Sequence, residues 1–590
     1  METEWKFDWV KPEKFEFERK KSSMAHDAFR NKWLKRKDYL EDSKVLLEIL
    51  DEYEKLVRNS FAGGNEGYYY FLKEQCDLND TEVRKKMMLI DDFQKKQSIK
   101  TLFFHINLAK ITEDKQKDFL ENTKLSKYNN FLKNIFENSK HLLSEEGEKI
   151  LSLKSAGSYE LWVKMLEGFL TKETRKIIDN EGKEKELTYN ELSNLTRSKD
   201  KKLRDKAGNA FDDIMKKYYE VAEFELNAVL ENAKIEDELR GFKRADESRI
   251  KEDLIDFEFI DSLLLAVKEK YNLPHRYYSL LSKLTGQKKF NYYERTIELF
   301  EVDKKYSFEK AVKIVKRIFS KMDPDFLKIF ENMLENGQID AFPRPGKNGG
   351  AFCVQYRVED LIYVLLNFSG SIQDIKTLAH EMGHAINGHY MQRNENALNF
   401  GEPKSTAEVA STFMEDFVFE EILEEFGEEE KFYLLFNKIL KEISDIYRQI
   451  ALYFFELELH ESYRKEGYLS KERISEIFSK HMSEYLGDLF DKETMKYGWV
   501  YWEHIRLYFY VYSYASGSLI SKAMQKKYKE DHSFIEKIKI FFSTGTSKSP
   551  REIFRGMGIK IDKEFFLDGL EKIEKELNEV EELGKKLGKF

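Results

Sequence analysis

The chain has 590 residues, 41% hydrophobic and 35% charged, with 99 basic and 108 acidic residues intermixed to a formal net charge of -9. That balance excludes a disordered chain and offers no concentrated basic face for nucleic acid. No stretch reaches the roughly 18 uninterrupted apolar residues of a membrane span, so neither a membrane nor a nucleic acid is expected as a partner. The start, Met1-Glu-Thr-Glu-Trp-Lys-Phe, lacks the basic-then-apolar pattern of a secretory signal. Two distant cysteines, Cys76 and Cys353, form no C-x-x-C spacing. They predict free thiols in a reducing compartment, the cytoplasm.

No proline stands between Pro12 and Pro274, which permits long helices. The spacing of Val45, Leu46, Leu47, Ile49, Leu50, Tyr53, Leu56 and Val57 predicts a helix with one wide apolar stripe. Tyr68-Tyr69-Tyr70-Phe71 reads as packing. Ser144-Glu145-Glu146 reads as a capped helix start with an acidic first turn. Residues 177–190 interrupt the pattern, and a short hairpin is expected there. From Arg197 to about Asn232 a long amphipathic helix resumes. The first 190 residues read as a helical lobe without recognisable chemistry, and residues 191–590 as the catalytic region.

The character changes after Gly337, where Pro343, Pro345 and several glycines break helical periodicity. Gly349-Gly350-Ala351-Phe352-Cys353-Val354-Gln355 and Leu361-Ile362-Tyr363-Val364-Leu365-Leu366-Asn367-Phe368 suit strands of a small sheet over about 337–370. Glycine in a strand lets another backbone approach closely. If the first strand is an edge, an extended peptide can add to it through main-chain hydrogen bonds.

Leu378-Ala379-His380-Glu381-Met382-Gly383-His384-Ala385-Ile386 follows. Positions i and i+4 share a helix face, so His380 and His384 can reach one metal ion, with Glu381 about 100° round to address a water. This is the H-E-x-x-H spacing of zinc hydrolases. Apolar flanks predict a buried helix, in which three ionisable groups need a partner such as a metal. A metzincin needs glycine and histidine where this chain has Asn387 and Tyr390, and that class is excluded. The third ligand is then expected as a carboxylate on a following helix. Glu408, within Ser405-Thr-Ala-Glu408-Val-Ala-Ser-Thr412, is the candidate, although Ser405-x-x-Glu408 also fits a capping box. Glu402, in a Gly-Glu-Pro turn, is the rival. Glu415, seven residues on, can orient a ligand histidine.

Further along, His504, Tyr508, Tyr510, Tyr512 and Tyr514 cluster in sequence. Tyr510 and Tyr514, and likewise Tyr508 and Tyr512, are four apart and would share helical faces. Phenols and an imidazole can donate to a developing oxyanion.

Together these segments resemble oligoendopeptidase F, in the thimet oligopeptidase group of zinc metallopeptidases. The resembling residues are Pro345-Gly346-Lys347-x-Gly349-Gly350-Ala351-Phe352, Leu366-Asn367-Phe368-x-Gly370 and Thr377 to His384. Ala407 to Glu415 and Phe509 to Gly517 complete the set, with weaker likeness reaching back to His141. The resemblance implies a mainly α, multi-lobed fold with a small β-sheet beside the metal helix and a deep central channel. It implies one zinc held by His380, His384 and Glu408, with Glu381 as general base and short unfolded peptides as substrates. His504, Tyr510 and Tyr514 match positions that face the substrate carbonyl, and Gly349, Gly350, Ala351, Phe352 and Tyr512 are candidates for substrate contact. Asn387 departs from the family, which often has histidine there.

Overall fold

The structure is a computed structural model. It describes residues 2–60, 63–178 and 182–590, with all their side chains except those of residues 145 and 152. The expected mainly helical architecture with small sheets is present. Backbone packing divides the chain into two compact units. One comprises Met1–Lys140, Lys304–Glu424 and Lys527–Lys560, the other His141–Asp303, Glu425–Lys526 and Ile561–Phe590. The elements used below are, in chain order, strands β1 (Thr174–Ile178) and β2 (Glu184–Thr188), helix α1 (Lys201–Arg240), and strands β3 (Ile339–Asp340), β4 (Phe352–Val354) and β5 (Tyr363–Leu365). Four helices follow: α2 (Ile372–Asn394), α3 (Val409–Leu423), α4 (Arg448–Glu466) and α5 (Tyr512–Glu530).

In the first unit the predicted stripe forms the helix Ser43–Ser60. Its Leu46, Ile49 and Leu50 are fully buried against Trp33, Tyr39 and Phe104. Tyr68 is buried too, stacked on Tyr356 with ring centroids 4.9 Å apart. The chain start crosses to the small sheet, where Trp5 Nε1 donates to Val364 O at 2.9 Å. The strand order is β3-β5-β4, with β3 parallel and β4 antiparallel to β5. Both expected strands are present but short, because side chains rather than a ladder hold the flanking backbone. Lys347 Nζ, fully buried, donates to Asp340 Oδ1 at 2.8 Å and to the carbonyls of Phe342 and Leu366. Asn367 Nδ2 donates to Asn348 O and Gly350 O at 2.9 and 2.7 Å. β4 thus lies at the sheet edge, preceded by a pinned turn.

Helix α2 starts at a capping box. Ser371 Oγ accepts from Asp374 N at 3.1 Å and Asp374 Oδ2 accepts from Ser371 N at 2.9 Å. Leu378, Ala379, Met382, Ala385 and Ile386 are fully buried, as the apolar flanks predicted. At Gly383 the helix meets the start of α3 so closely that an added Cβ would stand 2.6 Å from Ala410 O and from Ser411 Cα. That contact brings α3 against the histidine face.

In the second unit β1 and β2 form the expected hairpin, whose tip at 179–181 lies outside the described residues. Ser144 caps its helix by accepting from Gly147 N at 3.1 Å. The long amphipathic helix runs eight residues further than predicted, to Arg240, where Gly241 closes it at φ 75°. On α1, Glu225 binds Arg506 at 2.7 Å, with both side chains buried. Arg506 Nη1 also donates to Trp499 O and Trp502 O, fixing the backbone ahead of His504.

Gly383→Ala should lower stability by about 1–3 kcal/mol, because the added methyl meets backbone that cannot yield. Gly349→Ala, where a Cβ meets nothing within 4 Å, should be nearly neutral. Urea denaturation midpoints of the two variants check the contrast.

Candidate active site

Helix geometry sets His380 and His384 on one face of α2, and α3 supplies the residue opposite them. Glu408 is the N-cap residue of α3, at φ -87° and ψ 3°. Its carboxylate turns to the histidines, with Oε2 3.3 Å from His380 Nε2 and 3.6 Å from His384 Nε2. Ser411 Oγ donates to the same oxygen at 3.0 Å. One donor atom from each of the three residues lies within 4.8 Å of the others. A tetrahedral zinc with bonds of about 2.0–2.2 Å needs ligand atoms roughly 3.3–3.6 Å apart, so the donor set and its spacing fit zinc. Glu402, the rival ligand, lines the same cavity but stands outside the converging group.

The electrostatics agree. Burial opposes charge on His380, but hydrogen bonds to Glu408 and Glu415 outweigh it and raise the imidazole to about 10. The two histidines overcome the burial of Glu408 and hold its carboxyl far below the ordinary range. The carboxylates of Glu408 and Glu415 thus favour positive charge on the histidine face of α2. Glu415 Oε2 lies 3.1 Å from His380 Nδ1, the orienting position expected of it. Its other oxygen accepts from Lys376 Nζ at 3.0 Å. Asn387 is buried and donates to Phe542 O at 3.1 Å, away from the donor set.

Glu381 is 6% exposed. Burial pushes its carboxyl up, while His380, His384 and the Cys353 backbone N–H pull it down. The Cys353 contact ties Glu381 to β4, and Gln355 Nε2 donates to His384 O at 2.7 Å, a second link from strand to helix. A cavity of about 630 Å³ opens over these groups, walled by Phe352, Tyr356, Phe400 and Glu402. Ala351 and Phe352 line it; Gly349 and Gly350 are outside that lining, at the turn before β4. Another cavity, of about 610 Å³, lies by Arg19, Glu66 and Arg357. Arg19 pairs there with Glu66, and Arg357 with Asp360.

In the second unit His504, Tyr510 and Tyr514 come together. His504 Nε2 and Tyr514 Oη share a hydrogen bond of 3.0 Å, and the Tyr510 ring centroid lies 6.0 Å from His504 and 5.8 Å from Tyr514. Burial lowers the pKa of His504 and favours the neutral ring. The expected helical faces do not form, because α5 begins only at Tyr512. Ahead of it the backbone turns through Tyr508 at φ 43° and Phe509 at φ 54°, a region costly for side chains of this size. Arg249 holds that turn through Leu507 O and Tyr508 O at 2.8 and 3.1 Å. Glu456 Oε2 accepts from Phe509 N at 2.6 Å. The structure does not bring Tyr512 into the cluster: it is fully buried and donates to Asp253 Oδ2 at 2.8 Å.

The sequence model of peptidase family M3 matches residues 194–570, and that of oligopeptidase F matches residues 107–166. The chain belongs to peptidase family M3. Members of this family are zinc metallopeptidases, and this chain is a metallopeptidase. It is 25% identical over 499 residues to the oligoendopeptidase F homolog of Lactococcus lactis subsp. lactis (strain IL1403), covering 82% of this chain and 81% of that protein. It is also 25% identical over 497 residues to oligopeptidase PepF of Bacillus subtilis (strain 168), covering 82% and 73%. The fold matches oligoendopeptidase-F from Enterococcus faecium with a TM-score of 0.71 at 18% identity, covering 97% and 99%. A solved Chlamydophila abortus chain matches with a TM-score of 0.83 at 23% identity, covering 92% of both.

Lys376 is the site residue that the sequence reading of this M3 peptidase passed over. Its signal was present: it stands four residues before His380, on the buried face of α2. Glu456 was passed over as well, since only the folded chain brings it to Phe509. Burial raises the Glu456 carboxyl from its ordinary 4.5 to about 8. The folded chain therefore keeps a proton that the unfolded chain has lost between those values. The stability this adds is complete below pH 4.5 and disappears as pH rises through 8. Glu456→Gln keeps the acceptor and cannot ionise. Between pH 7 and 9 its thermal midpoint should fall by about one to two degrees less than that of the parent. Parallel declines would show that Glu456 does not titrate there.

Proposed function

We propose that this M3 peptidase is a zinc-dependent endopeptidase, with one zinc per chain, that cuts internal bonds of short unfolded peptides. The observation that supports this most is the convergence of His380, His384 and Glu408 within 4.8 Å, with Glu381 beside them on the same helix. Those three residues would hold the zinc. Zinc there supplies a Lewis acid, which draws the pKa of water towards about 7 and polarises a peptide carbonyl.

The chain's own groups do the rest. Glu381 takes the proton from the attacking water on its carboxylate and passes it to the leaving amine. Its burial favours this, because a carboxyl raised from its ordinary value works closer to neutral pH. Glu415 holds the Nδ1 side of His380 and so leaves Nε2 for the metal. An extended substrate would add along the outer edge of β4, at Ala351 and Phe352, ahead of the Cys353 N–H that Glu381 takes, with Gly349 and Gly350 leaving room for its backbone. By family resemblance His504, Tyr510 and Tyr514 donate to the oxyanion, and their shared hydrogen bond suits preorganised donors. The names of the relatives, oligopeptidase and oligoendopeptidase, support small peptides as the substrate class. Free Cys76 and Cys353 suit a reducing cytoplasm.

Glu381→Gln should reduce kcat/KM by about 10²–10⁴-fold while equimolar zinc stays bound. A quenched fluorogenic peptide blocked at both ends, together with metal analysis, checks both halves. Full activity in the variant would remove Glu381 from the mechanism. Internal cleavage of the blocked peptide by the parent would exclude strict exopeptidase action.

A further inference from the structure

We propose that Lys376 is a positioning residue for the zinc site, acting through Glu415 on His380; the inference rests on the zinc reading above. Lys376, His380 and His384 stand at four-residue intervals on α2, so one helix face presents an ammonium and two imidazoles in line. Glu415 on α3 meets two of them at once. One of its oxygens lies 3.0 Å from Lys376 Nζ and the other 3.1 Å from His380 Nδ1. The Lys376 and Glu415 side chains are only 9% and 10% exposed. The Lys376 ammonium also lies 5.0 Å from the centre of the Phe419 ring, one turn beyond Glu415 on α3. The lysine is therefore seated against two residues of the facing helix rather than reaching for solvent.

Its effect follows from the cost of burying charge. A carboxylate so enclosed loses much of its compensation when the opposite charge beside it is removed. Its stable course would be to turn towards another donor and leave the ring. Lys376 supplies the opposite charge and occupies one oxygen. The other oxygen then stays aimed at Nδ1, and the far nitrogen, Nε2, faces Glu408 and His384. Lys376 thereby selects which nitrogen of His380 is offered to the metal and holds the ring in that orientation. Groups that orient a ligand histidine typically change metal affinity 10–100-fold when lost.

The test is zinc affinity of the full chain, measured by competition with a chromophoric chelator. Lys376→Met should bind zinc about tenfold more weakly than the parent, and Lys376→Arg should recover most of the loss. Glu415→Gln should also bind more weakly. Because the lysine acts through Glu415, Lys376→Met combined with Glu415→Gln should bind no more weakly than Glu415→Gln alone. Should Lys376→Met not fold, Lys376→Gln gives the same comparison. A purely structural lysine would lower the thermal midpoint of the metal-free protein and leave the zinc constant unchanged, which would overturn the proposal. So would losses that multiply in the double variant. A parent that fails to hold equimolar zinc would instead overturn the zinc reading itself.

Discussion

A helix face that carries Lys376, His380 and His384 cannot be buried against an apolar neighbour. Each group must find a partner of suitable charge, and the partners must arrive at the helical rise of about 6 Å per four residues. Helix α3 satisfies this with two carboxylates of its own. Glu408 at its N-cap serves the two histidines, and Glu415, two turns on, serves His380 from behind together with Lys376. The match in spacing works only because the helices approach closely at Gly383, where even a methyl group would collide with the α3 backbone. Metal chemistry and helix packing are thus one constraint seen from two sides.

The sheet beside α2 answers the same constraint. Glu381 projects from the helix towards β4, where the Cys353 N–H meets its carboxylate, and Gln355 ties the end of β4 to His384 O. Gly388 continues this contact one turn on, since an added Cβ there would lie 2.6 Å from Gln355 Cδ. The strand is short because its flanks are held by Lys347 and Asn367 rather than by a long ladder. A short edge strand with a pinned turn keeps its outer hydrogen-bonding groups in place, which is what strand addition by a peptide requires.

How far this was legible in sequence depended on whether the determining contact was local. The site helix announced itself through the i, i+4 histidines and their apolar flanks, and Glu408 through its place among small residues. β4 and β5 were visible as apolar runs bounded by glycine. β3 was not, since two residues, Ile339 and Asp340, carry no period. Lys376 read as one more lysine on a charged chain, and only its burial against Glu415 distinguishes it. Tyr512 resembled its neighbours in spacing, yet a distant carboxylate, Asp253, claims its hydroxyl.

The tyrosine segment shows why spacing alone misled. Four-residue intervals among Tyr508, Tyr510, Tyr512 and Tyr514 satisfy a helical pattern, and nothing local forbids a helix from 508 onward. What forbids it lies elsewhere in the chain. Arg249 takes the carbonyls of Leu507 and Tyr508, and Glu456 on α4 takes the N–H of Phe509. In an α-helix beginning there the two carbonyls would accept from N–H groups four residues on, while the Phe509 N–H, in the first turn, would need a partner from outside in any case. Once claimed from outside, the backbone must turn through positive φ at two bulky residues, a strain on the order of 1–3 kcal/mol each. Buried partners are what can sustain it, and Glu456 is buried enough to keep its proton at neutral pH. The turn delivers Tyr510 beside His504 and Tyr514 without a helical face. Strain held by remote side chains, rather than helical periodicity, brings this cluster together.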